Sequence, residues 1–240
     1  MELYWVHKLE GDQAFLDMEE SHHCIKVMRH KSGDRVEVTD GNGKRYLAVI
    51  RNAERNGCEL QTIELLRSES QRSPVCHIAI APTKSIDRFE WFLEKATEIG
   101  IAEITPLICR RSERTQLKLE RLQKQVISAM KQSQRCWLPK LNEPKKFVDF
   151  ILATGSGEPD LQPCNKIICY CGEETLPLLK NVYQPQTKVV ILIGPEGDFS
   201  PDEVELALAN GFSGATLGPA RLRTETAGVV AAHTVQLLND

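Results

Sequence analysis

The sequence predicts an α/β protein in two parts: a small β-barrel or sheet over residues 1–70, and an α/β domain over 74–240 built on a parallel sheet covered on both faces. Three observations predict this. The first seventy residues break into short strand-like stretches separated by glycine-containing turns. Beyond residue 75, near-continuous apolar runs too short for helices alternate with segments whose apolar residues recur three and four apart. Between the two parts lies SESQRSP, residues 68–74, polar throughout and ending in proline, which reads as a linker.

In the first part the strands are LYWV, DRVEVTD, KRYLAVI and CELQTIELL, with Gly41-Asn42-Gly43 and Arg55-Asn56-Gly57 as turn signals. One helix is expected from about Glu20 to His30, with Ile25 and Met28 or Arg29 facing inward.

The second part opens with the strand VCHIAIA. Its first helix, DRFEWFLEKATEIG, places Phe89, Phe92 or Leu93, Ala96 and Ile99 on one face, with Gly100 as its stop. AEITPLI is the next strand. A helix from about Leu117 to Arg135 should bury Leu119, Leu122, Val126 and Met130. FVDFIL then reads as a helix, KIICYC as a strand and ETLPLLKNV as a short helix. KVVILI is a strand, and SPDEVELALANG a helix whose start is a capping box of Ser200, Pro201 and Glu203, with Gly211 as its stop. SGATL and AGVVAAHTVQLL supply the last strand and helix.

Composition bounds the function. The 240 residues are 41% hydrophobic and 26% charged, ordinary for a globular chain. The start, MELYWVHKLEGDQ, lacks the pattern of a signal peptide, and no apolar run reaches the roughly 20 residues that span a bilayer. A soluble, cytoplasmic protein is expected. Its eight cysteines are scattered through apolar segments and read as reduced thiols. Cys169-Tyr170-Cys171 is their only tight spacing, no CxxC completes a zinc site, and His22-His23 reads as packing and surface, so no metal is expected. The net charge of −3 hides an asymmetry: residues 110–146 hold eleven Lys and Arg against three Glu, whereas residues 196–240 hold two Arg against seven acids. Solvated helix faces could produce the basic run, but beside a binding loop it fits a polyanion better.

Two strand-to-helix loops carry the functional signal: Gly194-Pro195-Glu196-Gly197-Asp198-Phe199 after KVVILI, and Gly218-Pro219-Ala220-Arg221-Leu222-Arg223-Thr224-Glu225 after SGATL. In a parallel sheet both leave at the carboxyl edge, where open α/β folds bind ligands, and the two should be neighbours. Their glycines let backbone atoms approach a ligand closely. Neither loop contains a dinucleotide or triphosphate motif, so a ligand without phosphate is indicated. Glu196 would repel a pyrophosphate but could hold a sugar hydroxyl or a cation. No G-x-S-x-G or H-E-x-x-H supports a hydrolase.

KVVILIGPEGDFSPDEVELALANGF followed by ATLGPARLRTETAG resembles the carboxyl-terminal core of the SPOUT methyltransferases, in particular the RsmE family that methylates N3 of a uridine in small-subunit (16S) ribosomal RNA. HHCIKVMRHKSGD, WFLEKATEIGIAEITPLICRRSE and MKQSQRCWLP resemble segments of that family in the same order, so the resemblance covers most of the chain. It implies an N-terminal PUA-like barrel that binds RNA, a C-terminal trefoil-knot domain, a homodimer through the knot, and S-adenosylmethionine bound in the knotted loops. The family usually shows Gly-Gly after Pro-Glu, whereas here Gly197 precedes Asp198, which is disfavoured relative to Gly if its φ is positive.

On this resemblance the cofactor residues are Gly194, Glu196, Gly197, Leu217, Gly218, Leu222 and Arg223. Arg223 is the expected stabiliser of the anion formed when uridine N3 loses its proton, and its structural alternative is a salt bridge with Glu225 or Glu196. The proton acceptor is Glu196, Glu225 or water. Thr224 and Thr226 are candidate caps of the last helix. Arg110, Arg111, Arg114 and Arg135 are the expected RNA contacts, on naked ribosomal RNA or the assembled small subunit. The competing readings are a methyltransferase of another RNA position, such as a ribose 2′-OH, and a non-enzymatic dimeric RNA-binding scaffold.

Overall fold

The computed structural model describes residues 2–54, 57–70, 75–155, 164–172 and 176–240. The expected turn at 55–56 and most of the expected linker, 71–74, lie outside the described residues. The chain divides into two compact units, Met1–Gln71 with Ile127–Leu138, and Arg72–Val126 with Pro139–Asp240.

The first unit is a curled mixed sheet with strands β1 (Leu3–Trp5), β2 (Lys8–Glu10), β3 (Gln13–Phe15), β4 (Arg35–Thr39), β5 (Lys44–Asn52) and β6 (Glu59–Ser68). They lie in the order β1-β4-β5-β6-β3-β2, and every pairing except parallel β1 with β4 is antiparallel. Buried residues recur along these strands: Val36 and Val38, Ala48 and Ile50, and Leu60 point into one core with Tyr4, Val6 and Leu16. Each buried valine, leucine or isoleucine among them contributes about 1.5–3 kcal/mol on burial.

The helix expected at 20–30 begins earlier, as α1 (Met18–His22), capped by the Asp17 carboxylate, which accepts from Glu20 N at 2.8 Å. It runs into a π-helical turn, His23–Val27. The wider turn adds a residue to the repeat and shifts the buried face. Ser21 and Cys24 therefore point inward, and Met28, expected inside, is 43% exposed.

Residues 127–138, expected in the second domain, group with this unit. The Gly41–Gly43 turn explains why. Gly43 N donates to Cys136 O at 2.8 Å, Leu138 N donates to Gly41 O at 2.9 Å, and a Cβ on Gly43 would stand 2.6 Å from the Trp137 ring. That approach requires glycine, a demand the sequence showed only as a turn signal.

The second unit carries β7 (Cys76–Ile80), α2 (Ile86–Ile99), β8 (Glu103–Ile108), α3 (Leu119–Gln132, whose second half belongs to the first unit), β9 (Lys140–Leu141), β10 (Lys145–Lys146), α4 (Phe147–Gly155), β11 (Cys164–Cys169), α5 (Leu179–Val182), β12 (Lys188–Ile193), α6 (Pro201–Ala209), β13 (Ser213–Ala215) and α7 (Thr224–Leu237). The sheet order is β10-β8-β7-β12-β11-β13, with β9 also on β8, and all its pairings are parallel. All five residues of β7 are buried, which is why this strand reads as a continuous apolar run.

Helix α2 buries Phe89, Phe92, Leu93 and Ala96 and ends on Gly100 at φ 97°, as expected, while Ile99 is only half-buried. Helix α3 buries Leu122, Val126 and Met130, whereas Leu119, in its first turn, is half-buried. The Ser200/Glu203 capping box is present: Ser200 N and Oγ donate to Glu203 Oε2 at 2.8 and 3.0 Å. Helices α2 and α7 lie so close that a Cβ on Gly228 would meet the Phe92 ring at 2.6 Å. The first turn of α7 is thereby fixed against the sheet.

Candidate active site

Strands β12 and β13 are consecutive along this part of the chain but not adjacent in the sheet, because β11 lies between them. The two loops predicted to be neighbours do converge on one cavity of about 280 Å³, and the segment after β11 enters it as a third wall. Cys169, Tyr170 and Cys171 form that third wall; Ile193 to Glu196 with Asp198 form the first; Thr216 to Gly218, Ala220 to Thr224 and Ala227 form the second. The sequence offered no motif for the β11 wall, since KIICYC is an ordinary buried strand and the order of strands is not encoded in periodicity.

Of the expected cofactor residues, Gly194, Glu196, Leu217, Gly218, Leu222 and Arg223 line this cavity, and Gly197 does not. The Gly197 carbonyl instead accepts from Arg111 Nη1 at 2.8 Å. Gly194 is closely packed: a Cβ there would stand 3.1 Å from the Phe199 ring, which would have to yield. Gly218 adopts φ 133°, a conformation that glycine alone takes without strain.

Glu196 Oε1 accepts from Lys84 N at 2.9 Å, while its Oε2 is buried with no hydrogen-bond partner among the described residues. A buried carboxylate oxygen without a donor is costly, so a ligand offering a hydroxyl or ammonium group here would be stabilised. With the apolar side chains of Ile193, Leu217 and Leu222 around it, the cavity suits a ligand that is flat and apolar at one end and polar at the other. Both thiols on the β11 wall are shifted toward the protonated form: burial pushes Cys169 up to about 12, and burial followed by the charge of Asp198 raises Cys171.

Asp198 does adopt positive φ, at 61°. Its carboxylate answers the strain with two hydrogen bonds, from Phe199 N at 2.8 Å and from Cys171 N at 2.9 Å.

Arg223 is exposed and pairs with neither carboxylate: Glu225 Oε1 stands 3.9 Å from Arg88 Nε, and Glu196 is held by Lys84. The salt bridge considered for Arg223 is therefore absent. It is also the N-cap residue of α7, with extended backbone and no side-chain cap. Thr224 and Thr226 lie inside the first turn and do not cap it.

Residues 70–236 match the family model described as the RNA methyltransferase domain, and residues 16–63 match the RNA methyltransferase PUA domain. A ribosomal RNA small subunit methyltransferase E from Rickettsia conorii is 30% identical over 222 residues, covering 90% of this chain and 86% of its own. The chain belongs to the ribosomal RNA small subunit methyltransferase E family. A probable rRNA-methyltransferase from Porphyromonas gingivalis superposes on it with TM-score 0.87 at 37% identity, covering 100% of this chain and 98% of the other. The ribosomal RNA small subunit methyltransferase E of Neisseria gonorrhoeae, whose structure is bound to S-adenosyl methionine, superposes with TM-score 0.81 at 26% identity over 100% and 98% of the two chains.

Within this methyltransferase family member, three of the four arginines expected at RNA stand around the cavity-bearing edge. Arg110 N donates to Glu203 Oε1 at 2.8 Å and its guanidinium pairs with Asp202 at 2.7 Å. Arg111 Nη1 reaches the carbonyls of Gly197 and Phe199, at 2.8 and 3.2 Å. Arg114 Nη2 reaches Lys84 O at 2.7 Å. Arg111 and Arg114 thus hold loop backbone, a role the charge count could not reveal. Arg135 belongs to the first unit.

Proposed function

We propose that this methyltransferase uses S-adenosylmethionine to methylate N3 of a specific uridine in small-subunit ribosomal RNA. The observation that carries this reading is the position of Arg223: exposed, paired with no carboxylate among the described residues, and on the wall of a cavity whose buried Glu196 oxygen lacks a donor among those residues. S-adenosylmethionine supplies, when bound, an electrophilic methyl group on a sulfonium. Glu196 holds a ribose hydroxyl or the methionine ammonium, Leu217 and Leu222 flank the adenine, and backbone at Gly194 and Gly218 approaches closely. Arg223 stabilises the charge that spreads onto the base oxygens as N3 is deprotonated. Glu225 and Glu196 are the candidate acceptors of that proton.

Arg110, Arg111 and Arg114 face RNA phosphates near the target, with Arg135 and the curled sheet adding contacts elsewhere on the RNA. The protein acts as a homodimer through its knotted domain. The supporting feature is the face of α7 that carries Thr226, Val230, His233 and Leu237, of which Leu237 is 64% exposed. A cytoplasmic location is the reading that a ribosomal RNA substrate supports.

The test is incubation of the protein and S-adenosylmethionine with small ribosomal subunits, and separately with their naked RNA, followed by mass mapping of the modified nucleoside. N3-methyluridine is expected. Ribose methylation would replace this reading with the 2′-OH one, and a folded protein that binds no S-adenosylmethionine would be a scaffold.

A further inference from the structure

We propose that a second cavity, between the first turns of α2 and α7, receives the uracil that is methylated, stacked on Trp91 with its imide edge turned to Glu225. This rests on the uridine-methyltransferase reading above and gives that reading an acceptor site. The cavity measures about 390 Å³ and is lined by Asp87, Arg88, Trp91, Arg223, Glu225 and Thr226. Arg223 lines both this cavity and the one assigned to the cofactor, so the two sites share a side chain.

Three features select the ligand. Trp91 leaves 42% of its surface exposed on α2, one turn from Arg88, and offers a flat apolar platform. Glu225 is 7% exposed; its Oε1 is beyond hydrogen-bond distance of Arg88, and its Oε2 is buried with no partner among the described residues. Such an acceptor calls for an N–H donor. The side chains Arg88, Glu225 and Arg223 present donor, acceptor and donor groups. The imide edge of uracil presents O2, N3–H and O4, which is the complement; cytosine has an unprotonated N3 and does not match. In the reaction the N3 proton passes to the Glu225 carboxylate. The N3 electron pair then forms the bond to the methyl carbon as the carbon–sulfur bond breaks toward sulfur.

The experiment measures single-turnover methylation and RNA concentration dependence for Trp91→Ala, Trp91→Phe and Glu225→Gln, on naked small-subunit RNA and on assembled subunits, with calorimetric S-adenosylmethionine binding and sedimentation alongside. Loss of one base–aromatic stack raises the RNA KM about tenfold in Trp91→Ala. Cofactor affinity and dimer mass should stay unchanged, and Trp91→Phe should recover most of the loss. Glu225→Gln should lower kcat and remove the acid limb of the pH–rate profile. A Trp91→Ala protein with wild-type KM on both substrates overturns the proposal, as does one whose only change is a split dimer, which would make the ring a subunit contact. Wild-type protein that binds cofactor but methylates neither substrate sinks the functional reading itself, and this inference with it.

Discussion

The carboxylate of Asp198 accepts a hydrogen bond from the backbone N–H of Cys171 at 2.9 Å, tying the loop after β12 to the wall that follows β11. Asp198 does so from positive φ, where glycine would be relaxed. Replacing it by Gly should leave the melting temperature unchanged or higher while weakening S-adenosylmethionine binding roughly fivefold, the worth of about one hydrogen bond. Asn, which tolerates this backbone and retains one acceptor, should lie between. Calorimetry on the two variants checks it; unchanged affinity in the Gly variant would mean the clip does not position the wall.

Arg223→Ala should bind S-adenosylmethionine and fold much as the wild type does, since the side chain is exposed and supports no ion pair among the described residues, but single-turnover methyl transfer should fall by orders of magnitude. Full methylation by the variant would return Arg223 to a surface role.

Arg110 and Arg111 should separate under mutation although they are neighbours. Arg111→Ala releases the Gly197 and Phe199 carbonyls and is expected to weaken cofactor binding about tenfold. Arg110→Ala gives up an exposed pair with Asp202 and should leave cofactor affinity alone while reducing the salt slope of RNA binding by about one. Equal effects of both variants on both ligands would contradict this division.

His77 gives the second unit an acid-sensitive spot away from the cavity. Burial pushes its pKa down to about 4, against the raising effect of Glu103 and with Lys140, Lys188 and Lys145 lowering it further. Its Nε2 meets Thr105 Oγ1 at 2.8 Å, and Phe150 packs edge-on against the ring. The unfolded chain takes up this proton near pH 6.5 and the folded chain only near 4, so this stability is present above about 6.5 and is lost as pH falls toward 4. The loss should be on the order of 3 kcal/mol. Thermal melts of His77→Gln across that window should lack this component; parallel curves for the two proteins would disprove it.

Glycine, proline and capping signals made the loops after β12 and β13 legible, because Gly194, Gly218, Ser200 and Glu203 act on their immediate neighbours in sequence. Tyr170 and Cys171 were not legible as a cavity wall, because their place depends on β11 pairing between β12 and β13. The same holds for Trp137 under the Gly41–Gly43 turn, where a contact across ninety-four residues overrides a boundary drawn from local composition. The inward face of the first helix was misplaced for a different reason: a single π turn changes the period on which such a reading depends. The Arg111 and Arg114 side chains, counted as free charge, turned out to be tied to backbone carbonyls.

That tie at Arg111 has a thermodynamic consequence. A phosphate drawing on its guanidinium competes with, or tightens, the same hydrogen bonds that shape the loop carrying Glu196. Occupancy of one ligand then changes the free energy of the other, and the change is reciprocal: whatever factor S-adenosylmethionine applies to RNA affinity, RNA applies to S-adenosylmethionine affinity. The basic segment and the cofactor loop would then respond as one cooperative unit.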